Sequence, residues 1–419
     1  MIIGPARSII TGPTTTDWRY NHISILNSDE TAALALKLNA SRYFKSPSVW
    51  SAKKALAMFS LTSYNLTEEQ RRMYASEKAE NFRWISKIVA TYSSYTLTEA
   101  DLAPESLYLE LAELGEFAEI AYNLVPTEFI LDNYEKLRQP GYPLEYHNAL
   151  GDVKLLSSFR GTFADLPVNV IYRPSTKQLL VAVSGTSSIK HAFQDLRVLK
   201  TSHPSKRGSV HSGFWALYQG IRSIVLDLIR QGITSHSPAE LVLTGHSMGG
   251  SICYLLGIEL LAHDEYLVPR LRLKIAVFGC PRAGDARLVD YYRELVAAFR
   301  KREGNDAFTE YVVKGYNDGV PALPPTRFGY RHFCQEPFYL VGGKLYRTPS
   351  TEAEHALFRV ESDNNDDQNK FILFPKGGHN YYNGRDLEKF SRRMNWLIQS
   401  IPTQDGWEER YAEIAKKHT

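Results

Sequence analysis

The sequence predicts an α/β protein: a mostly parallel central sheet flanked by helices. Three observations carry this. From about residue 178 onward, apolar strand-like runs alternate with helical stretches, the pattern of successive β-α-β units. Within that run, residues 241–256, "LVLTGHSMGGSICYLL", pass from an apolar strand through a glycine-rich turn straight into an apolar helix. And 419 residues with 43% hydrophobic content can bury a large core, so the chain holds one decorated domain or two to three smaller ones.

The elements follow in order. Residues 1–105 read as a helical extension: Ser28 offers an N-cap to "SDETAALALKL", and Thr67 and Gln70 stand in capping-box spacing. Tyr74, Phe82, Ile85, Ile88 and Val89 recur at helical spacing, as expected of a face packed on a core. "LYLELAELGEFAEIAY", from Leu107, is a further helix. "DLPVNVIYRP" and "KQLLVAVSGT" are β-branched runs separated by Pro174-Ser175-Thr176, a strand, turn and strand. Then come helix "GFWALYQGIRSIVLDLIRQG", strand "AELVLTG", helix "GSICYLLGIELLAH", strand "LKIAVFGCP", helix "ARLVDYYRELVAAFRK" and strand "TEYVVKGYN". "FYLVGGKLYRT" reads as a hairpin on Gly342-Gly343. Two helices, "DLEKFSRRMNWLIQS" and "WEERYAEIAKKH", close the chain.

Bulk properties exclude several function classes. The net charge of +3 is spread along the chain without a basic block, so no nucleic-acid partner is expected. No run of 18 apolar residues exists, which argues against a transmembrane segment. The N-terminal "MIIGPARSIITGPTTTDWRY" is broken by Gly4, Pro5 and Arg7 and makes a poor signal peptide. Cys253, Cys280 and Cys334 are odd in number and lack metal-ligand spacing; the first two read as small buried hydrophobes. An intracellular setting, cytoplasmic or at a lipid surface, fits these features best. A secreted chain lacking its leader would read the same way.

The chemistry centres on Ser247. At a strand-to-helix turn the hydroxyl projects from the carboxyl edge of the sheet, Gly245 and Gly249 leave room for the turn, and Gly250 and Ser251 let the helix pack closely. The Met248 N–H would face a developing oxyanion from the helix N-terminus. A serine hydroxyl needs a base and a group that orients it, and on such turns acid and base follow the serine in chain order. Asp318, just past an apolar strand, is the candidate acid; its plainer reading is an Asx-turn before Gly319. Asp285 is the rival, but it looks like a helix N-cap. Of the later histidines, His355 and His418 lack a suitable context. His379, on the glycine-flanked "FPKGGHNYYNG", suits a base better than His332 in "RFGYRHFC", which stays open by this reasoning. Thr186, after Gly185 at a strand end, is the candidate second oxyanion donor. Beyond it Ile189, Ala192, Phe193 and Leu196 fall at i, i+3, i+4 and i+7 with polar residues opposite. That is either a lid over the site or an ordinary surface helix.

Taken together, "SGTSSIKHAFQDL", "VHSGFWALY", "LTGHSMGG", "FGCPRAGD", "NDGVPALPP" with "FGYRHF", and "GGHNYY" resemble the class 3 lipases of the filamentous-fungal triacylglycerol lipase type. The matches keep the family's order over roughly two-thirds of the chain. The resemblance implies an α/β-hydrolase fold with Ser247 as nucleophile, Asp318 as acid and His379 as base. It also implies oxyanion donors at Thr186 and Met248 and a lid over about 187–198. It selects His379 over His332, since "FGYRHF" matches a non-catalytic family position. Two departures stand out: Ser184 holds a place where the family often has Arg, and Met248 replaces the commoner Leu.

The expected organisation is therefore a helical extension (1–105), a lipase domain (106–400) and a C-terminal helix (401–419). The expected activity is hydrolysis of acylglycerol esters at a lipid–water interface, with neither metal nor organic cofactor. A phospholipase or galactolipase, an acyltransferase, and a catalytically silent lipid-binding protein are the alternatives. Oligomeric state is left undetermined.

Overall fold

The computed structural model describes residues 92–122, 124–185, 199–263, 266–316, 318–361, 378–382, 386–401 and 405–418. Its strands in chain order are β1 (Tyr92–Leu97), β2 (Lys154–Arg160), β3 (Pro167–Arg173), β4 (Gln178–Val183), β5 (Lys200–Ser202), β6 (Ser209–His211) and β7 (Glu240–His246). They continue as β8 (Arg272–Phe278), β9 (Gly284–Asp285), β10 (Phe308–Gly315), β11 (Tyr330–Arg331), β12 (Phe338–Val341), β13 (Lys344–Arg347) and β14 (Leu357–Val360).

Eight strands form the central sheet in the order β13-β12-β10-β8-β7-β4-β3-β2. The five inner strands β12, β10, β8, β7 and β4 are parallel. β3 and β2 run antiparallel at one edge and β13 at the other. The helices Ser212–His236, Met248–Ala262 and Ala286–Glu303 connect β4 to β7, β7 to β8 and β8 to β10. These three parallel steps are thus made by helical crossovers, because parallel strands cannot be joined by a tight turn; β12 is reached from β10 by a longer connection with 3-10 turns and β11.

Side-chain alternation divides the core between the two faces of this sheet. Leu241 and Leu243 of β7, and Leu273, Ile275 and Val277 of β8, pack with those three helices on one face. Val242, Ala276 and Phe278 point the other way, among residues of the helices Glu105–Ile120, Leu387–Ser400 and Trp407–His418. Every residue of β7 is buried. Coverage on both sides is why these strands read as continuous apolar runs rather than alternating ones. Each fully buried Leu or Val side chain contributes about 1.5–3 kcal/mol of transfer free energy.

The alternation read from the sequence between residues 178 and 315 is present, with element ends differing by a few residues, as is the hairpin on Gly342-Gly343. The expected helical extension lies outside the described residues up to 91. Its described remainder is not helical in the expected way: β1 pairs in parallel with β14, and a 3-10 turn Glu99–Asp101 follows. That pairing joins segments far apart in sequence, so no local period announces it. Four strands of two or three residues, in the order β11-β9-β6-β5, form a small second sheet that the sequence reading also did not anticipate. Strands this short have no period to detect. Among the described residues no helix is long and apolar enough to cross a membrane.

Candidate active site

β7 delivers His246 and then Ser247, which takes φ 60° and ψ −132° and serves as N-cap of the helix Met248–Ala262. A non-glycine residue in this region is strained, and the surrounding packing must hold it there. Its N–H donates to the Phe278 carbonyl at the end of β8, 2.8 Å away. The flanking glycines are required by contact. A Cβ on Gly245 would lie 2.6 Å from the Gly249 carbonyl carbon, and one on Gly249 would overlap the Val183 carbonyl oxygen. The helix can therefore start against the ends of β4 and β7 only if both positions lack side chains.

β10 ends at Gly315, and the turn after it presents Asp318. The side chain is fully buried. Its Oδ1 accepts from the Val320 N–H at 2.8 Å, and its Oδ2 accepts from the Tyr382 hydroxyl at 2.5 Å. His379 reaches the same Oδ2 with Nδ1 at 3.0 Å, while its Nε2 lies 2.7 Å from Ser247 Oγ. The carboxylate can only accept, so Nδ1 carries the ring proton and Nε2 offers its lone pair to the serine. Burial pushes the Asp318 carboxyl up. The facing His379 and the hydrogen bonds from His379, Tyr382 and Val320 outweigh it and hold the group below its ordinary value.

Gly279, at φ +58°, floors this arrangement; a Cβ there would stand 2.9 Å from both Asp318 Oδ2 and the Tyr382 hydroxyl and 3.0 Å from His379 Cε1. Tyr382 also accepts from the Gly315 N–H at 2.9 Å, so it ties the strand end to the carboxylate. Beneath His379 lies His246, its ring centroid 4.4 Å away. Burial first, and then the neighbouring His379, bring the His246 ring down to about 3, so it is neutral.

Ser247, Asp318 and His379 are thus brought together. Met248 is the first residue of the helix that follows Ser247. Thr186 and the whole 187–198 segment, with Ile189, Ala192, Phe193 and Leu196, lie outside the described residues. The rivals are placed elsewhere. Asp285 caps the helix Ala286–Glu303, accepting from the Leu288 N–H at 3.0 Å. His332 is turned to the Pro321 carbonyl, 2.8 Å from Nε2. Cys253, Cys280 and Cys334 are all free thiols in the core. Among the described residues no group of His, Cys, Asp or Glu is arranged to hold a metal ion.

Tyr382, His246, Gly279 and Tyr122, whose hydroxyl lies 2.6 Å from His246 Nδ1, were not singled out from the sequence as site residues. Tyr382 and His246 fall inside quoted motifs, "GGHNYY" and "GHSMGG", which was the available signal. Tyr122 had none.

A mainly parallel sheet with a serine on a strand-to-helix turn, hydrogen-bonded to a histidine and a buried aspartate from later loops, defines the α/β-hydrolase class. The family model described as Lipase (class 3) matches residues 180–328 of this chain. A lipase of Rhizopus niveus is 26% identical over 204 residues, 48% of this chain and 49% of its own length. The chain therefore spans about half the length of the relatives it matches in sequence. The lipase of Rhizopus microsporus var. chinensis superposes with a TM-score of 0.51 at 22% identity, over 71% of this chain and 97% of that one. A triacylglycerol lipase whose catalytic centre is described as a serine protease triad superposes with a TM-score of 0.50 at 20% identity, over 69% and 98%. At these identities the superpositions speak for the fold.

Proposed function

We propose that the protein is a serine hydrolase that cleaves carboxylic esters of acylglycerols through an acyl-enzyme. The observation that carries this reading is the relay in which His379 stands 2.7 Å from Ser247 Oγ and 3.0 Å from a fully buried Asp318. His379 Nε2 takes the Ser247 proton as Oγ attacks the ester carbonyl, and Asp318 stabilises the imidazolium that forms. The carbonyl oxygen gathers negative charge facing the Met248 N–H at the positive end of its helix, with Thr186 as the second donor. As the tetrahedral species collapses, His379 protonates the departing alcohol. Water then attacks the acyl-serine, giving its proton to His379, and release of the acid restores Ser247. Every proton in the cycle is carried by Ser247, His379 and water.

The class 3 lipase match supports lipid esters as the substrates. The apolar positions Ile189, Ala192, Phe193 and Leu196 suit a lid that shields the site in water and opens at a lipid–water interface.

A fluorophosphonate probe tests the reading directly. Labelling of the native chain that disappears in Ser247→Ala, with loss of ester hydrolysis in both Ser247→Ala and His379→Ala, is the expected result. An unlabelled native chain would point to a non-catalytic lipid-binding protein. A panel of p-nitrophenyl esters, tri-, di- and monoacylglycerols, phospholipids and galactolipids then sets the headgroup. Esters formed on an added alcohol in preference to free acid would indicate an acyltransferase.

A further inference from the structure

The hydroxyl of Tyr122 lies 2.6 Å from His246 Nδ1, and His246 Nε2 lies 2.7 Å from the backbone carbonyl oxygen of His379. A carbonyl oxygen only accepts, so Nε2 bears the proton, Nδ1 is the acceptor, and Tyr122 must donate. The direction of the whole chain is fixed: Tyr122 hydroxyl to His246, His246 to the main chain of His379. The ring that carries it is buried and neutral, as a charged one would repel the imidazolium that forms on His379. Burial, with the charge of Glu119, keeps the Tyr122 hydroxyl protonated.

The same hydroxyl reaches a second part of the site. A Cβ on Gly185 would overlap the Tyr122 oxygen and lie 2.8 Å from the His246 carbonyl oxygen. Gly185 immediately precedes Thr186, so the chain leading to that donor packs directly on the Tyr122–His246 pair. The backbone beside His379 is also tied to the turn after β10, where the Gly378 N–H donates to the Tyr316 carbonyl at 3.0 Å, and to itself, where the Tyr381 N–H donates to the Gly378 carbonyl at 3.2 Å. His246 links the main chain of His379 directly to β7, the strand that leads into Ser247.

We propose that Tyr122 and His246 are positioning residues that form one brace, holding the base and the oxyanion segment in a common frame with the nucleophile. This rests on the serine-hydrolase reading above. Tyr122 enters from the end of the helix Glu105–Ile120, so that helix becomes part of the catalytic geometry rather than only a cover for the sheet. The brace touches neither substrate nor reacting atoms; it acts by keeping His379 Nε2 in line with Ser247 Oγ.

The test uses Tyr122→Phe, His246→Leu, His246→Gln and the Tyr122→Phe/His246→Leu double variant of the full chain. Gln keeps an amide N–H near the place of Nε2, whereas Leu has none. The expected result on a short, soluble p-nitrophenyl ester is a fall in kcat of about tenfold or more in Tyr122→Phe and His246→Leu, with KM changed by less than about twofold. His246→Gln should recover most of the loss, and the double variant should be no worse than His246→Leu, because both substitutions break one chain. Fluorophosphonate labelling should be slower in these variants and still reach one label per chain. The proposal is overturned if Tyr122→Phe keeps native kcat, if Gln is no better than Leu, or if the two losses multiply. A native chain that takes no label would instead overturn the hydrolase reading, so the two failures are told apart.

Discussion

Asp318→Asn separates two roles of the buried carboxylate, charge partner and mere hydrogen-bond acceptor. Oδ1 accepts from the Val320 N–H, which can only donate, so the new amide oxygen must stay on that side. The NH2 group then falls where Oδ2 meets His379 Nδ1 and the Tyr382 hydroxyl. Facing a donor, Nδ1 becomes the acceptor and the ring proton moves to Nε2. There it points at Ser247 Oγ, 2.7 Å away, and the ring can no longer accept the serine proton.

The lost charge adds to the wrong tautomer. A carboxylate and an imidazolium at the observed 3.0 Å attract by about 5.5 kcal/mol at an effective dielectric of about 20. That corresponds to a rate factor of about 10⁴. We expect kcat on p-nitrophenyl butyrate to fall by about 10³ to 10⁴, with KM nearly unchanged. Stability carries a second signature. The folded-state pKa of Asp318 lies below its unfolded value of about 3.9, so its contribution is complete above that value and is lost as pH falls through the folded pKa. Asn should therefore lower the melting temperature at pH 7, and the gap should narrow below about pH 4. A correctly folded Asp318→Asn enzyme that keeps more than about a tenth of native kcat would refute the reasoning.

Three other substitutions probe the frame. Tyr382→Phe strips a donor from Asp318 and an acceptor from the Gly315 N–H, so kcat should drop about tenfold and stability by about 1–3 kcal/mol, read by ester hydrolysis and urea denaturation. Gly249→Ala drives a Cβ into the Val183 carbonyl oxygen and within 2.7 Å of the Ser184 oxygen, backbone atoms that cannot swing aside. It should cost about 1–3 kcal/mol and slow fluorophosphonate labelling more than about tenfold; native labelling would show that the turn tolerates a shift. Glu145 accepts from Arg393 at 2.5 Å and from the Gly141 N–H at 3.2 Å, tying the helix Leu387–Ser400 to the loop beneath it. Burial pushes this carboxyl up, but hydrogen bonds from Tyr146, Arg393 and Gly141 bring it down to about 2. Its stabilisation is present above the ordinary value of 4.5 and vanishes toward pH 2. Glu145→Gln should melt at a lower temperature than the native chain at pH 7, and a gap that persists unchanged at the acid end would rule out this ion pair as its source.

Much of the architecture is legible in the sequence because parallel strands covered on both faces must be apolar along their whole length. β4, β7, β8 and β10 meet that requirement in their inner stretches, 179–183, 241–243, 275–278 and 312–313, with polar residues toward the strand ends, and the helices between them carry the crossovers. The turn at Ser247 is legible for a related reason: the sterics of a helix starting against two strand ends demand glycine at fixed offsets from the serine. The candidates Asp318 and His379 follow from chain order and loop context, although neither excluded Asp285 or His332 without the family resemblance.

Contacts between distant segments are another matter. Whether Asp318 meets His379 depends on β10 and the 378–382 segment converging on the end of β8, where Gly279 leaves the space. The partners Tyr382 and Asp318 stand 64 residues apart, and Tyr122 and His246 stand 124 apart. Likewise, β1 and β14 pair across most of the domain. Periodicity and glycine placement are local properties, set by how a residue meets its own helix, strand or turn, and the sequence by itself determined those. Which buried polar groups become partners is decided only when packing has removed water from both, so the tertiary structure alone could assign the hydroxyl of Tyr122 to His246 and that of Tyr382 to Asp318.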